Sequence, residues 1–199
     1  GYTAALSVYA LQKYGINPAK GEIAVTGSTG GVGSVSVALL AYLGYTVIAS
    51  TGKMKEKNFL TGLGAFEIIH REELNNDSKK ALYKERWAGA IDTVGGSTLT
   101  SLLKSTKRGG AVAATGLVAS PELSMTVFPF ILRGVSLLGI DSAETPLRLR
   151  CEIWNLLADK WKITQLDNLI IDCTLDKLIP EIDKILAGEQ RGRVVVDML

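Results

Sequence analysis

A glycine-rich stretch near the start of the chain constrains the fold more than any other feature. Residues 25–33 read Val-Thr-Gly-Ser-Thr-Gly-Gly-Val-Gly, and they complete an apolar run that begins at Ile23. Where a buried strand turns into a helix, the first N–H groups lack partners and the helix dipole favours an anion. On the G-x-G-x-x-G frame of dinucleotide-binding turns, Ser28, Gly30 and Gly33 occupy the glycine positions, so the first glycine is missing.

The flanking sequence predicts a βαβ unit around this turn, with a helix over residues 32–43 and a second strand over 47–49. We expect the turn to hold the pyrophosphate of a dinucleotide through Ser28, Thr29, Gly30, Gly31, Val32 and Gly33.

Further apolar runs alternate with helical patterns along the whole chain. They predict strands over 67–69, 90–94, 111–115, 135–140, 169–172 (an edge strand) and 194–196, and helices over 2–14, 55–63, 97–107, 144–160 and 175–186. The polar stretch 75–84 predicts a loop with a short surface helix. Such alternation is typical of an α/β fold, a doubly wound parallel (Rossmann) sheet with helices on both faces.

Composition excludes several classes of function. The chain has 199 residues, which suits one domain, and a formal net charge of +2, which is too small to indicate a nucleic-acid partner. No apolar run reaches the roughly 18 residues that span a bilayer, so we expect a cytoplasmic protein with no membrane partner. Cys151, Cys173 and the lone His70 do not have the spacing of metal ligands, so we predict no metal site.

The glycine-rich turn also fits a second pattern, because Thr26-Gly27-x-x-x-Gly31-x-Gly33 matches the turn of short-chain dehydrogenases. That family carries a catalytic Tyr-x-x-x-Lys well after the turn. Here the pattern occurs at Tyr9 and Lys13, before the turn. We therefore interpret these two residues as part of a helix surface.

The set of motifs resembles the nucleotide-binding half of the medium-chain dehydrogenase/reductase superfamily, in its zinc-free quinone oxidoreductase-like branch. The motifs that carry this resemblance lie at residues 1–5, 30–33, 63–65, 91–96 and 192–196. Residues 130–133 and 138–142 narrow it to a likeness with the acrylyl-CoA reductase subgroup. The resemblance covers essentially the whole chain.

Several expectations follow from this resemblance. Family members carry a GroES-like catalytic domain ahead of this region, so residues 1–199 are expected to form the NADP-binding domain, and the final strand over 192–198 belongs to it or to the missing domain. The intact enzyme would pass a hydride to an activated C=C bond such as that of acrylyl-CoA, or reduce a quinone, and would form a homodimer through residues 135–140. Its catalytic side chains stay unassigned. A non-catalytic NADP-binding or sensing module is the alternative of another class.

The residues after the second strand favour NADP(H) as the cofactor. NAD-binding domains place an acid about 20 residues after the turn to accept the ribose 2′-hydroxyl. Here Ser50, Thr51, Gly52 and Lys53 occupy that region, and hydroxyls with a cation suit a 2′-phosphate. The resemblance adds Arg71 as a second cation.

The remaining candidates follow later strands. Thr115, Gly116, Leu117, Ile140 and Ser142 come after strands that end where such sheets bind ligands, so they either hold the ribose and nicotinamide or serve only as turn residues. Ile131 is implied by the resemblance alone. Asp92 is predicted to be a structural carboxylate that accepts backbone hydrogen bonds.

Overall fold

The computed structural model describes residues 1–75, 78–164 and 166–198. Six parallel strands form the main sheet: β1 (Ile23–Val25), β2 (Val47–Thr51), β3 (Glu67–His70), β4 (Trp87–Asp92), β5 (Thr106–Ala114) and β6 (Ser136–Gly139). Their spatial order is β3-β2-β1-β4-β5-β6, the order of dinucleotide-binding domains. The predicted doubly wound α/β fold is confirmed.

Helices cover both faces of this sheet. They are α1 (Tyr2–Lys13), α2 (Gly33–Tyr42), α3 (Lys57–Gly62), α4 (Gly96–Ser105), α5 (Phe128–Arg133) and α6 (Leu147–Ala158). Alternate residues of a strand point to opposite faces. Ile23 and Val25 of β1 accordingly lie in a core with α1, α2 and α6, whereas Ala24 lies in a second core with α4.

The C-terminal part forms a separate pair of strands. β7 (Ile170–Thr174) pairs in parallel with β8 (Arg193–Asp197), and α7 (Leu178–Leu186) connects them. The edge strand predicted over residues 169–172 corresponds to β7, which pairs with β8 in a two-stranded sheet of its own and does not extend the main sheet.

Other element boundaries also differ from the predicted ones. The apolar run 128–132 forms α5, a helix that had not been assigned. α6 begins at Leu147, directly after Pro146, and not at residue 144; the residue before a proline is disfavoured in a helix. β5 begins at Thr106, five residues earlier than predicted. In the stretch 75–84, residues 76 and 77 lie outside the described residues, and the described remainder contains no helix.

Candidate cofactor site

The glycine-rich turn lies at the point where the strand order reverses, between β1 and β4. Its tight bend is made by Gly27, whose φ of +55° is a left-handed conformation that favours glycine. Gly33 begins α2 so close to the turn that a Cβ there would lie 2.7 Å from the Cα of Ser28 and would overlap the carbonyl oxygen of Gly27. Gly27 therefore performs the bend expected of the missing first glycine, and Gly33 permits the close packing of helix on turn.

Ser28 fastens this turn to the neighbouring strand. Its side chain is fully buried, and its hydroxyl donates a hydrogen bond of 2.8 Å to the carbonyl oxygen of Ser50 at the end of β2. The Ser28 N–H also points to that carbonyl, at 3.2 Å. The serine in place of a glycine thus ties β1 to β2.

The start of α2 offers donors to an anion. In the described part of the chain, no backbone carbonyl accepts from the N–H groups of Gly31, Val32 or Gly33. The side chain of Arg193, at the start of β8, packs against Gly31, where a Cβ would lie 2.8 Å from the arginine Cδ and would overlap the guanidinium. Free N–H groups beside a cation fit a pyrophosphate.

Asp92 joins the turn to β4. One carboxylate oxygen accepts from the Thr26 hydroxyl at 2.6 Å, and the other accepts from the Gly95 N–H at 2.8 Å. Burial raises the pKa of Asp92, and the hydrogen bonds from Thr26, Gly95 and Val94 act in the opposite direction. The Thr26 hydroxyl in turn accepts from the Thr93 N–H at 2.9 Å. This arrangement matches the structural role predicted for Asp92.

The segment after β2 is held by its own side chains. Ser50 and Thr51 are buried, and the Thr51 hydroxyl accepts from the Lys53 N–H at 2.9 Å and lies 3.4 Å from the Thr29 hydroxyl. Lys53 is half-buried, and its Nζ donates to the carbonyl oxygen of Gln190 at 2.5 Å. Burial lowers the pKa of Lys53, while Glu56 and Glu189 act to raise it.

Arg71 lies beside this segment, as its predicted role requires. It directly follows β3, and its side chain packs against Gly52, where a Cβ would lie 2.9 Å from the arginine Cδ and Nε. Its Nε also lies 3.4 Å from the Glu72 carboxylate, and its side chain is 69% exposed. Lys53 and Arg71 are therefore both close to the end of β2.

A C-terminal strap, residues 190–193, lies against the candidate site, and the sequence did not predict this contact. The Gly192 N–H donates to the Thr29 carbonyl in the glycine-rich turn at 2.9 Å, and Gln190 accepts from Lys53 as described above. The sequence offered one signal, two arginines that flank Gly192 before the last strand. Their position against the turn depends on contacts between distant parts of the chain.

The other end of the site lies after β5 and β6. The Thr115 N–H donates to the Asp92 carbonyl at 2.8 Å, and the Thr115 hydroxyl is buried without a hydrogen-bond partner among the described residues. Ser142 accepts from the Thr3 hydroxyl of α1 at 2.9 Å. Gly116 and Leu117 follow Thr115, and Ile140 donates its N–H to Ala114 at 3.0 Å.

Ile131 is placed differently from the other predicted residues. It lies within α5 and its side chain is 68% exposed. The other candidates follow the carboxyl ends of parallel strands and therefore meet at one edge of the sheet. The structure does not place Ile131 in that set of strand ends.

Three further observations concern the rest of the described chain. A cavity of about 610 Å³ is lined by Trp87, Ser101 and Lys107, among others, and shares no residue with the glycine-rich turn. Among the described residues, no group of three or more His, Cys, Asp or Glu side chains could hold a metal ion. In the same residues, none of the helices has the length and apolar character needed to cross a membrane.

The strand order and the turn define a dinucleotide-binding domain of the Rossmann type. A known family, described as Zinc-binding dehydrogenase, matches residues 31–158. The chain belongs to this family, within the medium-chain dehydrogenase/reductase superfamily.

Individual relatives match the whole chain. Acrylyl-CoA reductase AcuI of Ruegeria pomeroyi is 46% identical over 198 residues, which cover 100% of this chain and 60% of the relative. YhfP of Bacillus subtilis, whose name assigns it provisionally to the quinone oxidoreductases, is 44% identical over 199 residues, again covering 100% of this chain and 60% of the relative. The chain thus spans about 60% of the length of these relatives.

Solved structures of relatives superimpose closely. The crystal structure of Bacillus subtilis yhfP with NAD bound has a TM-score of 0.95 at 44% identity and covers 100% of this chain and 60% of that one. The yhdH oxidoreductase of Salmonella enterica in complex with NADP also has a TM-score of 0.95, at 42% identity, with 100% and 61% covered.

Proposed function

We propose that this chain is the cofactor-binding part of an NADP(H)-dependent oxidoreductase that reduces an activated C=C bond such as that of acrylyl-CoA. The observation that carries the cofactor choice is the segment after β2, where Lys53 stands in the region that holds an acid in NAD-binding domains and Arg71, which follows β3, packs against Gly52. The 46% identity to an acrylyl-CoA reductase supports the substrate class.

The roles of the residues follow from their positions. The N–H groups of Gly31, Val32 and Gly33, with Arg193, would hold the pyrophosphate. Lys53 and Arg71 would hold the 2′-phosphate.

At the other end of the site, the side chain of Ser142 and the hydroxyl of Thr115, which has no hydrogen-bond partner among the described residues, would face the ribose and nicotinamide. Gly116, Leu117, Ile140 and Ile131 stay predicted contacts there.

A bound nicotinamide supplies the hydride for the β-carbon of the alkene. We propose that the substrate pocket and the group that protonates the α-carbon lie outside residues 1–199, since the relatives are longer than this chain. The role of this domain is then to bind the cofactor and orient its nicotinamide.

Reduction of a quinone is the second candidate, supported by the name of the Bacillus subtilis relative. Oxidation of NADPH by the full-length protein should be measured with acrylyl-CoA and with a simple quinone. Turnover of acrylyl-CoA in clear excess over the quinone is expected. Preference for the quinone would overturn the substrate class, and dinucleotide binding without turnover of either compound would favour a non-catalytic sensing module.

We also propose a homodimer that pairs through the β6 edge. β6 is the last strand of the sheet, and α5 beside it exposes Phe128, Ile131 and Leu132. Sedimentation of the wild type against a Leu138→Lys variant tests this, and a wild-type monomer would refute it. Zinc independence is likewise a proposal, which metal analysis of the purified full-length protein tests.

A further inference from the structure

The C-terminal strap (residues 190–193) touches both halves of the cofactor site. Gly192 donates to Thr29 in the glycine-rich turn, and Gln190 accepts from the ammonium group of Lys53 at 2.5 Å. The residue between them in sequence, Arg191, is therefore carried to the side of the site where the 2′-phosphate is proposed to bind.

The guanidinium of Arg191 is held in place by the segment that follows Lys53. Its Cζ lies 4.9 Å from the centroid of the Phe59 ring, and its Nη1 lies 3.4 Å from a carboxylate oxygen of Glu56. The Arg191 side chain is 42% exposed, and that of Glu56 is 19% exposed. A guanidinium has five N–H donors in a planar fork. Stacking on a ring therefore leaves donors at its edge available to an anion.

The charge of the expected ligand calls for more than one cation. A phosphate monoester carries about −1.5 to −2 charges at neutral pH, whereas Lys53 supplies one positive charge from a half-buried position. Arg71 packs on Gly52 on one side of this segment, and Arg191 reaches it through the strap. Planar, bidentate binding of phosphate is the particular strength of arginine.

We propose that Arg191 is a further specificity-determining residue, which binds the 2′-phosphate of NADP(H) together with Lys53, and that Glu56 positions it and competes with the phosphate for its guanidinium. This inference rests on the proposed function and names the element that makes the same site selective. Arg191 binds the cofactor and takes no part in hydride transfer.

Substitutions at the two partners of the Arg191–Glu56 pair should change the affinity for NADPH in opposite directions. Arg191→Ala should weaken NADPH binding about tenfold or more, with NADH binding little changed. Glu56→Gln should strengthen NADPH binding a few-fold, because the competing carboxylate is removed. If the pair only braces the strap, both variants break the same contact and should weaken both cofactors alike.

The experiment is a fluorescence titration of the full-length protein with NADPH and with NADH, with thermal melting as a check on folding. Arg191→Lys should keep part of the NADPH preference. Arg108→Ala, an exposed arginine near the start of β5 at the opposite edge of the sheet, is the matched control and should leave both affinities unchanged.

The possible results distinguish a failure of the Arg191 proposal from a failure of the proposed NADP(H) cofactor. A wild type that prefers NADPH, with the opposite effects described, supports the inference. A wild type that prefers NADPH while Arg191→Ala leaves this preference intact overturns the inference alone. A wild type without any preference for NADPH overturns both the inference and the proposed cofactor.

Discussion

The glycine-rich turn and the C-terminal strap lie against each other, yet they are stabilised in different ways. The turn is part of the buried core, where Ser28 binds β2 and Thr26 binds Asp92 of β4. The strap is half-exposed and is held by a few polar contacts, among them those of Gln190 and Gly192. This difference teaches that the shape of the turn is set by folding, whereas the half-exposed side chains of Gln190 and Arg191 in the strap can change with little cost to stability. Gly192 is the exception, because its φ is +58° and a Cβ there would overlap the carbonyl of Leu169. Substitutions in the turn should therefore unfold the protein, and those near the strap should change cofactor choice.

The largest effect is expected for Gly33→Ala. The new Cβ would overlap the carbonyl of Gly27 and lie 2.7 Å from the Cα of Ser28, and backbone atoms cannot move aside. Overpacking typically costs about 1–3 kcal/mol and occasionally more; a clash with backbone places Gly33→Ala at the upper end, and NADPH binding should be lost as well. Urea unfolding measures the first effect. The control is Gly62→Ala in α3, where a Cβ meets nothing within 4 Å, and a matching loss there would contradict the steric explanation.

The second-largest effect is expected for Asp92→Asn. An amide has one accepting oxygen where the carboxylate has two, so either the Thr26 hydroxyl or the Gly95 N–H loses its acceptor. A buried donor without a partner costs about 1–3 kcal/mol of unfolding free energy.

The loss of unfolding free energy caused by Asp92→Asn should depend on pH in a defined direction. Burial raises the pKa of Asp92 in the folded state, so its contribution to stability is present below the unfolded pKa and is lost as pH rises through the folded pKa. The difference in unfolding free energy between the wild type and Asp92→Asn should therefore become smaller as pH rises from the unfolded-state pKa of Asp92 to its folded-state pKa. Unfolding free energies at several pH values measure this, and a widening deficit would refute the assignment.

Lys53→Ala should change selectivity and leave stability almost unaffected. Removing the ammonium should erase most of the preference for NADPH over NADH, with a change in unfolding free energy within about 0.5 kcal/mol. Lys57→Ala, which removes an exposed lysine four residues further along, is the matched control. Equal losses of preference in the two variants would indicate a general charge effect and no specific contact.

The smallest effect is a pH dependence of the NADPH preference. The preference should rise as the 2′-phosphate gains its second negative charge at about pH 6. It should fall on the alkaline side sooner than for an ordinary lysine, because burial lowers the pKa of Lys53. Titrations with both cofactors across this range measure it, and in Lys53→Ala the alkaline fall should disappear.

Structural features that depend on neighbouring residues could be predicted from the sequence, whereas features that depend on contacts between distant residues could not. Local apolar patterns predict the glycine-rich turn with its flanking strand and helix, and also the packing of a core on each face of the sheet. In β1, for example, alternate residues lie in different cores. The role of Gly27 in the bend was missed, because the standard glycine frame points to residue 28. The strap was missed because Lys53 meets Gln190 across 137 positions of sequence. α5 was not assigned, because a short apolar run does not distinguish a helix from a strand.

The central claim is that the segment after β2 and the strap select NADP(H). Its most direct test is a titration of the full-length wild-type protein with NADPH and NADH under identical conditions. The account predicts that NADPH binds at least about tenfold more tightly, as a charge-assisted phosphate contact implies. Equal affinities, or tighter binding of NADH, would contradict it.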